Sequence, residues 1–272
     1  MKADVVVGLQ AGDEAKGKVT YNLLERGSYT HCMRFNGSGN AGHTIYHKGK
    51  KFVTHQIPTG VFFGIKSIIG SGCVVDFDAL ESEIGELESQ GVVVRKHLFI
   101  SKRAHIIQER HLKKDCEGSG IGSTKKGVGP AYSEKYARTG TRAGDHTGGY
   151  GSGFLIDVYD ELHSNDDAEI LLEGAQGFNL DIDWGDYPYV TSSPCTVAGA
   201  IQNGIPYTAI RTVYGVGKCY ETYVGTKKFQ PDEKVFERIA KAGNEFGSTT
   251  GRPRQCNWMD IEGLKKAAKL NS

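Results

Sequence analysis

Two apolar rhythms alternate along the chain. Short β-branched and apolar runs at 4–9, 31–35, 52–57, 67–70, 97–101, 169–173, 207–214 and 218–224 predict strands. Between them, apolar residues at helical spacing predict helices over 16–27, 78–90, 102–114, 154–162, 195–203, 232–242 and 260–270. In the sixth helix Val235, Phe236, Ile239 and Ala240 share one face, and Gly243 follows as a stop signal. Strands alternating with helices predict an α/β fold whose central sheet is largely parallel and flanked by helices. No internal repeat interrupts this order. Residues 140–153 are rich in Gly, Thr, Ser and charge and predict a flexible loop. The last helical pattern is followed by no closing strand, so the expectation is one domain over residues 1–272 that lacks a final segment.

Composition narrows the class. The 272 residues can bury a large core, and a net charge of +1 gives no overall attraction to nucleic acid or membranes. No apolar stretch approaches the roughly 20 residues needed to span a bilayer, and the N-terminus enters a strand without a signal-peptide layout. Six cysteines are widely spaced with no C-x-x-C pair, which predicts reduced thiols in a cytoplasmic protein rather than disulfides or a zinc site. The 37 glycines gather in a few loops, as expected where backbone must turn tightly around a ligand.

The first such loop follows Val5, Val6 and Val7. Gly12, Gly17 and Lys18 have the G-x-x-x-x-G-K spacing of a phosphate-cradling loop, which predicts a P-loop-like fold related to the nucleoside triphosphatases. Val19 stands where a magnesium-binding Ser or Thr is usual, while Asp13 places an acid inside the loop. The second cluster, Asn36-Gly-Ser-Gly-Asn-Ala-Gly-His-Thr44, carries His43, suited to proton transfer near neutral pH. Asp13 and His43 would form an acid/base pair if the two loops face each other.

Three further clusters carry candidate chemistry. Gly118-Ser-Gly-Ile-Gly-Ser-Thr-Lys-Lys-Gly-Val-Gly-Pro130, followed by Arg138 and Arg142, suits a phosphate monoester; a disordered basic loop is the competing reading. Gln176, after the apolar run 170–172, offers an amide that can both donate to and accept from a purine edge; otherwise this is a strand end with acidic turns. Arg252 and Arg254, beside Thr249 and Thr250, suit a carboxylate clamp; a solvated basic turn is the alternative. Trp258 reads as a core residue.

Together and in this order the motifs resemble the adenylosuccinate synthetase family. Its patterns Q-W-G-D-E-G-K-G-K, N-A-G-H-T, I-G-T-T-G-x-G-x-G-P-A-Y, E-G-A-Q-G with D-I-D and Y-P-Y-V-T-S-S, and F-G-x-T-T-G-R-x-R correspond to residues 10–18, 40–44, 121–132, 173–193 and 246–254. The resemblance implies a ligase that joins IMP to L-aspartate with GTP and Mg²⁺ through a 6-phosphoryl intermediate. It implies Asp13 as general base and magnesium ligand, His43 and Gln176 as further catalytic groups, and the Gly42 carbonyl as a second metal ligand. The triphosphate would lie against Gly12, Asp13, Glu14, Ala15, Lys16, Gly17, Lys18, Gly42, His43 and Thr44. The IMP contacts would be Asp13, Lys16, Asn40, Ala41, Gly42, His43, Thr124, Gln176, Thr191, Val224 and Arg252. Arg138 would reach the nucleotide across a homodimer interface, and Ser248, Thr249, Thr250, Arg252 and Arg254 would take aspartate.

The departures are specific. Ala11 replaces a tryptophan, Ala15 a glycine and Tyr223 an arginine, and the segment between Arg142 and Glu173 is short. The chain ends before the family's T-K-x-D segment, which reads guanine, so ATP or dATP stays open as the donor. A phage branch of the family uses dGMP in place of IMP, and a non-catalytic nucleotide-binding module is a third reading.

Overall fold

A computed structural model describes residues 1–118, 122–146, 152–247 and 251–272. The strands are β1 (Lys2–Gly8), β2 (His31–Arg34), β3 (His43–His47), β4 (Lys50–Thr54), β5 (Lys66–Ile69), β6 (Val74–Val75) and β7 (Leu98–Ser101). They continue with β8 (His105–Ile106), β9 (Leu155–Ile156), β10 (Glu169–Glu173), β11 (Ile210–Val216), β12 (Glu221–Tyr223) and β13 (Gln255–Asn257). The helices are α1 (Lys16–Arg26), α2 (Phe77–Ser89), α3 (Glu109–Glu117), α4 (Val128–Ala137), α5 (Val158–His163), α6 (Val197–Ile201), α7 (Lys234–Gly243) and α8 (Ile261–Leu270).

Seven strands form the central sheet in the order β11-β1-β10-β2-β5-β7-β9, and every neighbouring pair is parallel. Helices cover both faces, so the inner strands are apolar on both sides rather than alternating. Val5 and Val7 of β1 pack with Ile170, Leu172 and Met33 against Val158 and Leu162 of α5 and Ala200 of α6. Val6, Cys32 and Leu171 face the other way, onto Leu24 of α1. A third cluster joins Leu98 and Ile100 of β7 to Leu80, Ile84 and Leu87 of α2 and to Ile45 and Phe52.

Several elements differ from the pattern reading. The run 52–57 contributes β4, which pairs antiparallel with β3 in a hairpin outside the main sheet. Helix α3 begins only at Glu109, because β8 pairs with β6 first. β9 precedes α5, whose Asp157 cap accepts from the Tyr159 N–H at 2.9 Å. Helix α4 lies in the glycine-rich segment read as a phosphate loop; Val128, Ala131 and Tyr132 bury there against Val74 and Ile107. Asn244, not Gly243, takes the left-handed position that ends α7. The segment expected to be flexible is partly anchored: Arg142 bridges to His105, and Ala143 is buried in a 3₁₀ turn. Residues 147–151 of it lie outside the described residues. Trp258 is 57% exposed, edge-on to Phe236 and donating to Glu233, and not a core residue.

Candidate active site

The loops that leave the carboxyl ends of β1, β2 and β10 converge, as ligand sites do in open parallel sheets. They wall a cleft of about 710 Å³. After β1 the chain turns through residues 9–15 into α1. The Glu14 carboxylate is turned inward and holds this turn from inside. It accepts from the Gly12 N–H at 2.8 Å and the Gln10 N–H at 3.2 Å, and takes the Lys16 amine at 2.5 Å. Glu14 is therefore buried and does not line the cleft, whereas Gly12, Asp13, Ala15, Lys16, Gly17 and Lys18 do. Asp13 and Ala15 sit at φ 61° and 70°, the left-handed region that costs a non-glycine residue about 1–2 kcal/mol. The methyl at position 15 thus strains the loop.

The second loop seats directly on the first. A Cβ at Gly17 would stand 2.8 Å from the Cβ of His43, so only glycine permits this approach. Asn36 is buried and ties this loop to the one after β10. Its Nδ2 donates to the Ala175 carbonyl at 3.1 Å, and its Oδ1 accepts from the Ala175 N–H at 2.8 Å. Asn40 Oδ1 accepts from the Ser38 N–H, while Nδ2 lies 3.5 Å from Thr191 Oγ1 across the cleft.

Asp13 and His43 line the same cleft, but each has a different partner. His43 Nδ1 makes a short hydrogen bond to Glu173 Oε1 at the end of β10. Glu173 also accepts from Thr59 N at 2.8 Å and Thr59 Oγ1 at 2.9 Å, with Arg34 Nη1 at 3.9 Å. Burial, then the Arg34 charge, pushes the His43 imidazole down to about 4. Burial alone would raise the Glu173 carboxyl, but the His43 hydrogen bond, the Arg34 charge and the Thr59 N–H outweigh it and hold it at about 2. The pair is a neutral imidazole donating Nδ1–H to a carboxylate, which fixes the tautomer and leaves Nε2 as the other functional nitrogen. Asp13 Oδ2 lies 2.8 Å from Arg254 Nε in an ion contact lacking hydrogen-bond alignment. Arg254 Nη1 in turn donates to the buried Glu245 at 2.6 Å, which also takes Lys218.

Gln176 stands at φ 57°, and both its amide atoms are buried without a protein partner among the described residues. Such orphaned groups cost free energy unless something else satisfies them. Ala41, Gly42, Thr44, Thr124, Thr191, Val224 and Arg252 also line the cleft, and Arg252 Nη1 donates to the Gly122 carbonyl at 3.0 Å. Arg138 does not; it is exposed at the end of α4 in a left-handed conformation. Ser248, Thr249 and Thr250 lie outside the described residues, but Gly247 donates to the Arg252 carbonyl at 2.8 Å beside them. Among the described residues no three His, Cys, Asp or Glu gather as a metal cage. Asp13 and Gly42 both line the cleft, and so small an oxygen set fits Mg²⁺, which keeps waters and binds mainly through substrate phosphates.

This architecture matches known proteins. The family model described as adenylosuccinate synthetase matches residues 5–149 and 152–272. The chain belongs to the adenylosuccinate synthetase family. Adenylosuccinate synthetase of Cytophaga hutchinsonii is 41% identical over 328 residues, covering 100% of this chain and 75% of that protein. The enzyme of Helicobacter pylori strain G27 is 39% identical, covering 99% of this chain and 76% of its own. A fully ligated adenylosuccinate synthetase from Plasmodium falciparum superposes with a TM-score of 0.88 at 34% identity, over 100% of this chain and 75% of that one. Cyanophage S-2L succinoaminodeoxyadenylate synthetase, bound to dGMP and dATP, shares the fold with a TM-score of 0.81 at 24% identity, covering 99% and 82% of the two chains. Membership makes the chain a ligase of purine biosynthesis.

For a synthetase of this family, the motifs locate the cleft and contain Glu14, Asn36 and Glu173, but do not disclose that these residues support it from behind. Glu173, Asn36 and Glu245 act through contacts distant in sequence or outside any motif, while Glu14 folds back under its own loop instead of facing the triphosphate. The one local signal was an ionisable residue, Glu173, ending an apolar strand.

Proposed function

We propose that the chain condenses IMP with L-aspartate, using GTP, to give adenylosuccinate, GDP and phosphate. The observation that carries this reading is the shared wall of the phosphate loop, Asp13, His43 and a Gln176 amide without a partner among the described residues, all in one cleft. A purine 6-oxygen is a poor leaving group until it is phosphorylated. Asp13 takes the N1 proton, so that the 6-oxygen attacks the γ-phosphorus and GDP leaves. The aspartate amine then adds at C6, phosphate departs with the C6–O bond electrons, and the new C6 nitrogen gives up its extra proton to solvent. The Gln176 amide bonds the purine edge. His43 lies where the phosphoryl group transfers, and an anionic group beside Nε2 raises its proton affinity, so protonation accompanies binding. Phosphoryl transfer asks chiefly for such positioning and charge stabilisation.

Asp13 and the Gly42 carbonyl would hold Mg²⁺, which would offset phosphate charge. Arg254 contacts Asp13 while it awaits the substrate carboxylate, and Arg252 closes the nucleotide side. A homodimer in which Arg138 serves the neighbouring cleft, and a cytoplasmic location, complete the reading. Among the described residues no helix is long and apolar enough to cross a membrane.

The test is phosphate release from a matrix of IMP and dGMP against GTP, ATP and dATP, each with aspartate. IMP- and aspartate-dependent release is expected. Turnover of dGMP without turnover of IMP would overturn the substrate, and binding without release would leave only a nucleotide-binding module.

A further inference from the structure

Behind Arg254 the polar contacts close into a circuit. Residues 245–254 fold back on themselves: Phe246 bridges to Pro253, and the Arg254 N–H donates to the Glu245 carbonyl at 2.9 Å. The Glu245 and Arg254 side chains meet at the base of this turn. Glu245 is 4% exposed, and its two carboxylate oxygens have different partners. Oε1 accepts from Lys218 Nζ at 3.0 Å and from the Tyr220 hydroxyl in a short bond. Oε2 accepts from Arg254 Nη1 at 2.6 Å, and Arg254 Nε lies 2.8 Å from Asp13. Gln10 closes the circuit. Its Oε1 accepts from the Lys218 N–H at 2.7 Å, and its Nε2 donates to the Lys218 carbonyl at 3.1 Å. Gln10 and Asp13 both belong to the turn that Glu14 holds from inside.

A buried carboxylate among cations adds little stability over a well-packed apolar cluster, because each charge gives up its hydration. What it does add is direction. Two donors fix Oε1, so Oε2 is aimed at Arg254, and two of the three guanidinium nitrogens are held before any substrate arrives. We propose that Glu245 is the positioning residue of the carboxylate clamp: it presents Arg254 to the substrate aspartate in one pose, braced against the phosphate-loop turn. This rests on the reading that Arg254 receives that carboxylate. A guanidinium released from Glu245 would sample many rotamers, and aspartate would have to order it on binding.

Glu245→Gln is the discriminating variant. Its Oε1 can keep the Lys218 and Tyr220 bonds, which turns Nε2 toward Arg254 Nη1, donor against donor. Glu245→Asp keeps the charge but is shorter and cannot reach both sides. KM and kcat are measured by phosphate release with the full chain. The Arg254 Nε–H is followed by ¹⁵N relaxation, its signal identified by its loss in Arg254→Lys. Glu245→Gln should raise the KM for aspartate about tenfold, the cost of ordering a freed long side chain. The KM values for IMP and GTP should stay within about twofold, and kcat at saturating aspartate within about threefold, as for a loss of binding alone. The Nε–H should pass from rigid to mobile. Glu245→Asp should raise the aspartate KM in the same direction by less, and it decides the matter if the amide variant does not fold. An unchanged aspartate KM, or an equal rise for all three substrates, overturns the positioning role. Wild-type protein without aspartate-dependent release sinks the ligase reading instead. The Nε–H then decides Glu245, and a signal as rigid in Glu245→Gln as in wild type overturns its hold on Arg254.

Discussion

Left-handed backbone at Asp13, Ala15 and Gln176 puts three non-glycine residues of one cleft under strain. Such strain persists where surrounding contacts over-determine it, here the Glu14 bonds under the first loop. Ala15→Gly should therefore raise stability by about 1 kcal/mol, read as a higher urea midpoint at unchanged slope. The imidazoles give a pH signature. Burial, followed by nearby cations, lowers His43 and His105 to about 4, with Lys135 and Arg142 the cations at His105. Unfolded histidine binds its proton near 6.5, so unfolding takes up protons between 6.5 and 4. Stability is then full above that window and falls as the pH drops through it; Glu173 adds a further loss between 4.5 and 2. Urea midpoints between pH 7 and 4.5 should fall less steeply in His105→Asn than in wild type. Asp13, His43 and Gln176 were legible as candidates because their loops carry compact motifs. Their partners were not: His43 meets Glu173 across 130 residues, and no local pattern encodes that contact.

Elements were legible where burial imposes a simple period. β1, β10 and α8 follow continuous apolar runs or one apolar stripe, and the pattern finds each within a few residues. It fails at α4 and at the β3–β4 hairpin. In α4 the Gly127–Pro130 start masks helical spacing, and only three residues face the core. In the hairpin, β3 emerges from a glycine turn, and its outer face serves the cleft instead of water. Helix α4 depends on the residue that caps its start: Gly127 has φ 71°, and a Cβ there would stand 2.9 Å from Ile107 and 3.2 Å from His111. Gly127→Ala should cost about 1–3 kcal/mol and loosen the neighbouring Ser123–Thr124 wall. A lower urea midpoint, together with weaker binding of IMP, checks both effects.

At the scale of the molecule, the cleft is assembled from segments spread over most of the chain, while Arg138 stands outside it. If a second copy uses Arg138, Arg138→Leu should raise the KM for IMP at least tenfold and leave GTP binding unchanged. Mixing this variant with an Asp13→Asn protein should then restore some activity, because some mixed dimers hold one intact cleft. No recovery in a proven dimer, or full activity as a monomer, counts against the shared site.

The sheet order has a consequence for how the protein comes into being. β1 is made well before its two neighbours in the sheet, β10 and β11. On the ribosome the Val5–Val7 segment, apolar on both faces, emerges with no strand to pair with until residues 169–173 and 210–216 have followed. The phosphate loop is thus made long before the strands that complete its support, and until they follow the nascent chain carries an exposed, adhesive strand.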